Sequence, residues 1–501
     1  MTLDRLQQAE PEDASKPESP YHIFTKTQKW TLITIIGVAG LFSGLSSNIY
    51  FPALDQIAQD LQVGLTTISL TITSYMIFQG ISPLIWGSLS DALGRRPIYV
   101  ASFLVYIAAN IALSFSPNFV VLLVFRGLQA AGSASTVSIG NGIIQDISPA
   151  GERGSFISFY QAIRNFSIAV GPVLGGILSQ QFGFRAAFVF LLILSAVVLT
   201  CIILFLPETL RAIAGNGSIP VTAVYQPLIC QCRKGRSPTT ADDFHHCQPR
   251  KRRKVTAMTL IEPLRLLGQP EIMLNLLYGG VVYAIWSMMT SSTTMLFKDV
   301  FDLSELQLGL AFLPNGLGTV FGSTLIANLL TRSFTRYVSR YKILHSLPTT
   351  YTITSPIPSS FPLERARLRH LSWISVLFIL ATASYGFSLG FSTLTPRPGW
   401  ICVPLLLQFL ITNAVFAINQ TLVTDLSPGK GASATAVNNL VRCSMGAFGV
   451  AFADGMIKKL GVAAAFLGLA LCVVVASPLA VVGWFWGMGW RATREREELK
   501  R

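Results

Sequence analysis

The chain has 501 residues, of which only 12% are charged, against about 25% in soluble globular domains. So little charge cannot coat several soluble surfaces, and with a mean hydropathy of +0.53 it excludes a string of soluble domains in favour of a chain that faces lipid. A formal net charge of +14 would point to nucleic acid in a soluble protein, so the placement of the charges decides what it means.

Residues 1–28 are polar and rich in Pro, Glu and Ser, and read as a disordered cytoplasmic tail. They lack the charged, apolar, small-residue order of a cleaved signal, so the first apolar segment is expected to serve as an uncleaved anchor. A bilayer crossing needs about 20 apolar residues in helical form. Six such stretches follow, at 30–50, 66–89, 98–115, 119–144, 155–178 and 186–206. Between the second and third stands Gly87-Ser-Leu-Ser-Asp91-Ala-Leu-Gly94-Arg95-Arg96-Pro97. Gly87 suits close helix approach, Gly94 suits a turn with positive φ, and Asp91 with the Arg pair can form an ionic latch to a neighbouring helix end. The fourth span holds Arg126-Gly-Leu-Gln129-Ala-Ala-Gly132. An intramembrane Arg costs about 2.5 kcal/mol or more and faces a cavity or partner, unless it snorkels to the surface. The fifth span holds Arg164 and, seven residues on, Gly171-Pro172-Val-Leu-Gly175-Gly176, where the proline removes a backbone donor and the glycines admit a close neighbour.

A long loop, 207–271, then carries the densest basic run, Arg250 to Lys254, together with Cys230, Cys232, His245, His246 and Cys247. Their spacing matches no common zinc knuckle, so no metal is expected, and the run reads as a linker near an anionic leaflet rather than a nucleic-acid patch. Cys201, Cys402, Cys443 and Cys472 fall in apolar runs, so no disulfide framework is implied. Six further spans follow at 272–296, 306–330, 371–394, 400–423, 432–454 and 462–486. Nine of the twelve carry no Lys, Arg, Asp or Glu, which chance would not give. Span 10 offers Asn413, Asn419 and Gln420 as neutral cavity donors. Span 11 repeats the fifth: Arg442 is followed seven residues on by Gly449. Arg164 and Arg442 each lie roughly 14 to 15 Å deep, near the midplane. Two cations at equal depth suit a carboxylate ligand; pairing with backbone carbonyls is the alternative. Asp454, at the end of span 11, is either a proton or gate site or a solvated helix end.

With the N-terminus inside, 30 of the 38 Lys and Arg fall on the inner side, so the positive balance is mostly topogenic and both termini are expected in the cytoplasm. The expected organisation is a six-helix bundle at 29–206, the 207–271 linker, a second six-helix bundle at 272–488 with a cytoplasmic loop at 331–370, and a tail at 489–501. The fold class is thus all-α membrane protein, twelve helices in two pseudo-symmetric bundles.

The 2/3 loop resembles the G-x-x-x-D-x-x-G-R-[RK] signature of the major facilitator superfamily, span 4 resembles its R-x-x-Q-G-x-G string with Ala130 in place of a glycine, and span 5 resembles the G-P-x-x-G-G string of its exporters. Leu206-Pro-Glu-Thr-Leu-Arg211, Glu152-Arg153-Gly154 and Phe361-Pro-Leu-Glu-Arg-Ala-Arg367 are similar to the fungal twelve-span drug:proton antiporter subfamily, which includes multidrug and citrate exporters. The resemblance implies export of a small molecule by alternating access, by a plasma-membrane protein acting as a monomer, without cofactor. It also implies proton coupling, although span 1 holds no carboxylate to titrate. Export of a carboxylate-bearing metabolite and broad drug export both remain open. An embedded enzyme is disfavoured because all 5 histidines lie outside the spans and no acidic pair lies inside one; a receptor would bind without flux.

Overall fold

The computed structural model describes residues 22–148, 150–215, 217, 221–229, 262–346, 348, 357–358, 360–391, 399–427 and 431–500. Arg250 to Lys254 and the Cys/His cluster of the linker lie outside them. Twelve long helices are formed: α1 (Lys26–Asn48), α2 (Leu65–Leu93), α3 (Arg95–Ser114), α4 (Phe119–Ile147), α5 (Ala150–Phe182), α6 (Arg185–Phe205), α7 (Pro270–Phe301), α8 (Leu313–Leu344), α9 (Leu371–Gly390), α10 (Gly399–Leu426), α11 (Gly431–Leu460) and α12 (Val462–Lys500). All twelve are long and apolar enough to cross a membrane. Their ends follow local chemistry. Thr25 opens α1 with a capping box to Gln28, Asn118 caps α4, and Gly94 turns the chain from α2 into α3 at φ +110°.

The helices pack in the same pattern twice. In the first half α1 lies on α5, α2 on α4, and α3 on α4 and α6; in the second α7 lies on α11, α8 on α10, and α9 on α10 and α12. One apolar core runs from Leu32 to Leu206, and a second draws on Leu266 to Ala476 with Leu84. A third cluster joins the halves: Tyr50, Phe51 and Ile57 meet Tyr283, Phe312, Ala447 and Val450. An even number of crossings puts both described chain ends on one side, called here the terminal end; the opposite side is the far end.

Two seams connect the halves, α2 with α11 and α5 with α8 and the short helix Glu305–Ala311. At the far end Lys298 pairs with Asp55 and lies 3.5 Å from Glu305, Thr294 donates to the Phe51 carbonyl at 2.9 Å, and Phe51 stacks on Phe312. At mid-depth Asn439 donates to the Gln79 carbonyl at 2.7 Å. The Gly171-Pro172 segment packs against both the end of α1 and the second seam. A β-carbon at Gly175 would lie 2.1 Å from the Ile49 carbonyl oxygen, and one at Gly176 would lie 2.4 Å from that of Glu305. Gly87 differs from expectation: a β-carbon there would meet only Ser138, at 3.7 Å, an ordinary contact. Close approach is thus built into α5, and the glycine that opens the 2/3 loop string is not needed for it.

Overpacking of a tight contact costs about 1–3 kcal/mol. Gly176→Val is therefore expected to lower the thermal midpoint of the purified protein in detergent, while Gly87→Ala leaves it unchanged; equal effects would refute this account of the seam.

Candidate substrate site

Intramembrane cations need partners, and the three arginines inside the spans find different ones. Arg126 is 1% exposed, and its hydrogen bonds and ring contacts are to residues of the first half. Its Nη1 donates to the Ser46 carbonyl at 3.0 Å and to Gln129 Oε1 at 2.6 Å, and Gln129 passes the chain of bonds to Asn110 at 2.8 Å. The guanidinium lies over the rings of Tyr50 and Tyr75, 4.0 and 4.5 Å from their centroids. Tyr50 is held by Thr71, and Tyr75 donates to the Ser43 carbonyl. Carbonyls, an amide and two π faces thus offset the burial of the charge. Arg126 and Gln129 are committed to holding α1, α2, α3 and α4 together.

Arg164 and Arg442 are placed otherwise. Both are half-buried, on α5 and α11, the helices that occupy the same place in the two halves. Arg164 interacts with the buried Tyr160 hydroxyl, which also donates to the Thr136 carbonyl at 3.2 Å. Arg442 donates from Nη2 to Asn439 Oδ1 at 2.8 Å and lies 4.7 Å from the Tyr283 ring centroid and 5.4 Å from that of Phe416. Arg442 acts on Arg164 as like charge on like charge. Among the described residues no carboxylate pairs with Arg126, Arg164 or Arg442.

The neutral residues of span 10 divide. Asn413 ties α10 to α8 by donating to Thr319 Oγ1 at 3.0 Å, and Asn419 is packed against Gly279 of α7, where a β-carbon would lie 2.0 Å from its Nδ2. Only Gln420 is held by α11 polar groups: it donates to Thr435 at 2.9 Å and accepts from Asn438, four residues before Arg442, at 2.6 Å. The structure therefore brings together Arg164, Arg442 and the Asn438/Gln420 pair, and leaves Arg126, Gln129, Asn413 and Asn419 as ties within a half. Asp454 is 8% exposed and accepts from Ser69 of α2 at 3.4 Å, which places it on the α2/α11 seam at the far end rather than at a solvated helix end.

At the terminal end of the first half, Arg95 pairs with Asp91 at 2.6 Å and with Asp146 of α4 at 3.0 Å. Arg96 donates to the Ile203 carbonyl of α6 at 2.7 Å. Glu208 completes this network: its carboxylate accepts from the backbone N–H groups of Arg95 and Arg96 at 2.9 and 3.2 Å, at the positive end of α3. A β-carbon at Gly94 would strike this carboxylate at 2.5 Å, a second reason besides its φ for glycine there. Asp146 and Glu208 carry no role in the sequence-based reading. For Asp146 a signal exists: Asp146-Ile-Ser-Pro149 closing α4 recurs as Asp425-Leu-Ser-Pro428 closing α10. The second half answers with Arg367 on Asp425 at 2.8 Å. A counterpart of the Arg95–Asp146 pair thus exists, supplied from the chain before α9 and not from the end of α8. Beside the first network His22 stacks on Phe24; burial and the nearby Arg211 push its pKa down to about 4, so it is neutral at physiological pH.

The Major Facilitator Superfamily model matches residues 36–450. The chain belongs to the major facilitator superfamily. It is 42% identical over 489 residues to Citrate exporter 1 of Aspergillus niger, covering 97% of this chain and 91% of that one. It is 31% identical to Multidrug transporter QDR2 of Candida glabrata, covering 95% and 83%. Among solved structures the fold is shared with peptide transporter POT, at a TM-score of 0.61 and 14% identity, covering 90% and 94% of the two chains. It is shared also with the human organic anion transporter MFSD10, at 0.53 and 17%, covering 90% and 99%. This member of the superfamily is a multi-pass membrane transporter and not an enzyme.

Breaking a buried ion pair by removing one partner costs about 3–5 kcal/mol. Asp146→Asn should therefore destabilise the purified transporter markedly, and Asp425→Asn, whose pair is more exposed, should do so less. Removing both partners, in an Arg95→Leu/Asp146→Leu protein, should cost less than Asp146→Asn alone; thermal unfolding checks the order, and a reversed order refutes the pairing.

Proposed function

We propose that this transporter exports a polycarboxylate of the citrate class, bound between Arg164 and Arg442. One observation carries the reading: two half-buried cations, on equivalent helices of the two halves, act on each other electrostatically, and among the described residues no carboxylate pairs with either. Such a pair is unfavourable in a medium of low dielectric until an anion bridges it, and charge-assisted bonds to two carboxylates of one molecule satisfy both guanidinium groups at once. The similarity to a citrate exporter agrees with this chemistry. Asn438 and Gln420 stand ready to bond a hydroxyl or a protonated carboxyl of the same ligand.

Alternating access follows from the same charges. With the far end closed by Lys298, Asp55 and Thr294, substrate enters from the terminal end, which we assign to the cytoplasm on the bias of its loops toward Lys and Arg. The bridging anion removes the repulsion that keeps α5 and α11 apart at mid-depth, the two six-helix bundles close over it as bodies, and the far-end contacts yield to release it. Glycines 94, 171, 175 and 176, Pro172 and the Asp91/Arg95/Arg96 network set the resting arrangement from which this motion starts. A monomer in the plasma membrane suffices for it. Asp454, on the α2/α11 seam at the far end, is suited to take up a proton from outside and so couple export to proton entry.

The rival is broad drug export, favoured by the aromatic wall of Tyr283, Trp286 and Phe416 beside Arg442 and by the similarity to a multidrug transporter. Uptake of labelled citrate into inside-out vesicles separates the two. Truncating one side of a buried charge-assisted contact costs about 2 kcal/mol or more, a factor of roughly thirty. Arg164→Gln and Arg442→Gln are each expected to lower citrate flux by about that factor while the protein still reaches the membrane; undiminished flux in both refutes the carboxylate reading. With wild-type protein, an imposed pH difference should accelerate citrate flux, and Asp454→Asn should abolish that acceleration. A pH response that survives in the variant removes Asp454 from the coupling.

A further inference from the structure

Helix α8 does not stop where a membrane crossing would. From its start at Leu313, about 20 helical residues cover a bilayer core, yet the helix runs on to Leu344. The extension carries Arg332, Arg336 and Arg340, one every four residues and therefore on one face, and all three are exposed. The chain returns through the short helix Leu363–Leu368, which packs on α8 and presents exposed Arg365, and enters α9 past exposed Arg369. The two stretches are tied together, Ser333 of α8 donating to the Ala366 carbonyl at 2.9 Å, and Arg336 and Arg369 both act electrostatically on His370, the residue that opens α9.

Among the described residues none neutralises this patch. Between Glu305 and Asp425 the sequence contains one acidic residue, Glu364, and that is 2% exposed and faces Arg491 of α12 at 3.5 Å. Arg367 is spent on Asp425. Among the described residues the remaining five arginines have no ion-pair partner. The patch also has an apolar floor. One turn into α9, Trp373 donates from Nε1 to His370 Nδ1 at 3.2 Å and is 42% exposed, and below it Val376 and Leu380 are 55% and 56% exposed. Basic groups, then an amphipathic ring, then an aliphatic face is the order of a phospholipid read from phosphate to glycerol to acyl chain. A soluble anion would have no use for the lower two layers.

We propose that Arg336 and Arg369, flanked by Arg332 and seated above Trp373, bind the headgroup of an anionic phospholipid in the leaflet at the terminal end. The site lies on the outer face of the second half, away from Arg164 and Arg442, and does not depend on what the transporter carries. Bound there, one lipid would tie the end of α8 to the start of α9 across the end of α10, on which both helices pack.

The test uses the full-length protein purified in detergent and short-chain phosphatidylserine and phosphatidylcholine as probes, with binding read by native mass spectrometry. Phosphatidylserine should bind at least about tenfold more tightly than phosphatidylcholine, since each basic side chain near such a phosphate adds about a factor of five. The Arg336→Gln/Arg369→Gln protein should lose that preference, and the Arg336→Lys/Arg369→Lys protein, which preserves the charge and guards against a folding defect, should keep most of it. Equal binding of the two lipids by wild type, or an unchanged preference in the Gln protein, would overturn the proposal. So would displacement of phosphatidylserine by glycerophosphoserine at equal concentration, which would make the patch a site for soluble phosphates.

Discussion

A positive charge inside a bilayer has to be met by something, and the ways in which this chain meets its internal arginines organise the rest of the molecule. Arg95 and Arg367, at the membrane edge, are met by carboxylates at 3.0 and 2.8 Å and act as fasteners. Arg126, deeper, is met by a carbonyl, an amide and two tyrosine rings, and becomes the centre of a rigid half. Arg164 and Arg442 are met only in part, Arg164 by a tyrosine hydroxyl and Arg442 by an asparagine and two aromatic rings. The same residue type therefore serves as fastener, as keystone and, in the function proposed, as receptor, according to how much of its hydrogen-bonding capacity the protein itself uses.

The two halves share a packing plan but not its chemistry. Counted from the repeated Asp-x-Ser-Pro ends of α4 and α10, Gln129 corresponds to Gln408, while Arg126 corresponds to Leu405. The first half thus spends a buried cation on its own cohesion where the second uses an aliphatic side chain in its core. The pair proposed to bind substrate escapes that asymmetry: Arg164 and Arg442 stand at matching positions of α5 and α11. A ligand between them touches both halves, so its binding energy can bear on how the halves sit relative to each other.

Most of the fold was legible in the sequence because the bilayer imposes it: apolar length, the rarity of internal charge and the bias of Lys and Arg each report the same twelve crossings. Helix ends were less so. Helix α8 runs on to Leu344 and α12 to Lys500 because polar helix beyond the bilayer costs nothing that hydropathy measures. Side-chain orientation was the weakest inference. Asn413, Asn419 and Gln420 look alike in sequence, yet only Gln420 reaches the polar groups around Arg442, because about 100° per residue separates their directions on the helix. Arg126 and Arg164 were likewise indistinguishable until the tyrosines around the former were in place. The partners Asp146 and Glu208 lie far along the chain from Arg95, and spacing alone cannot report such contacts.

What most directly tests the account is whether an anion stabilises the protein through the two unpaired arginines. The thermal midpoint of the purified transporter should rise with added citrate, by an amount that vanishes in the Arg164→Gln/Arg442→Gln protein. The uncharged analogue triethyl citrate should leave it unchanged. A midpoint insensitive to citrate, or a citrate effect of equal size in the double variant, would contradict the claim that this pair is the substrate's counter-charge.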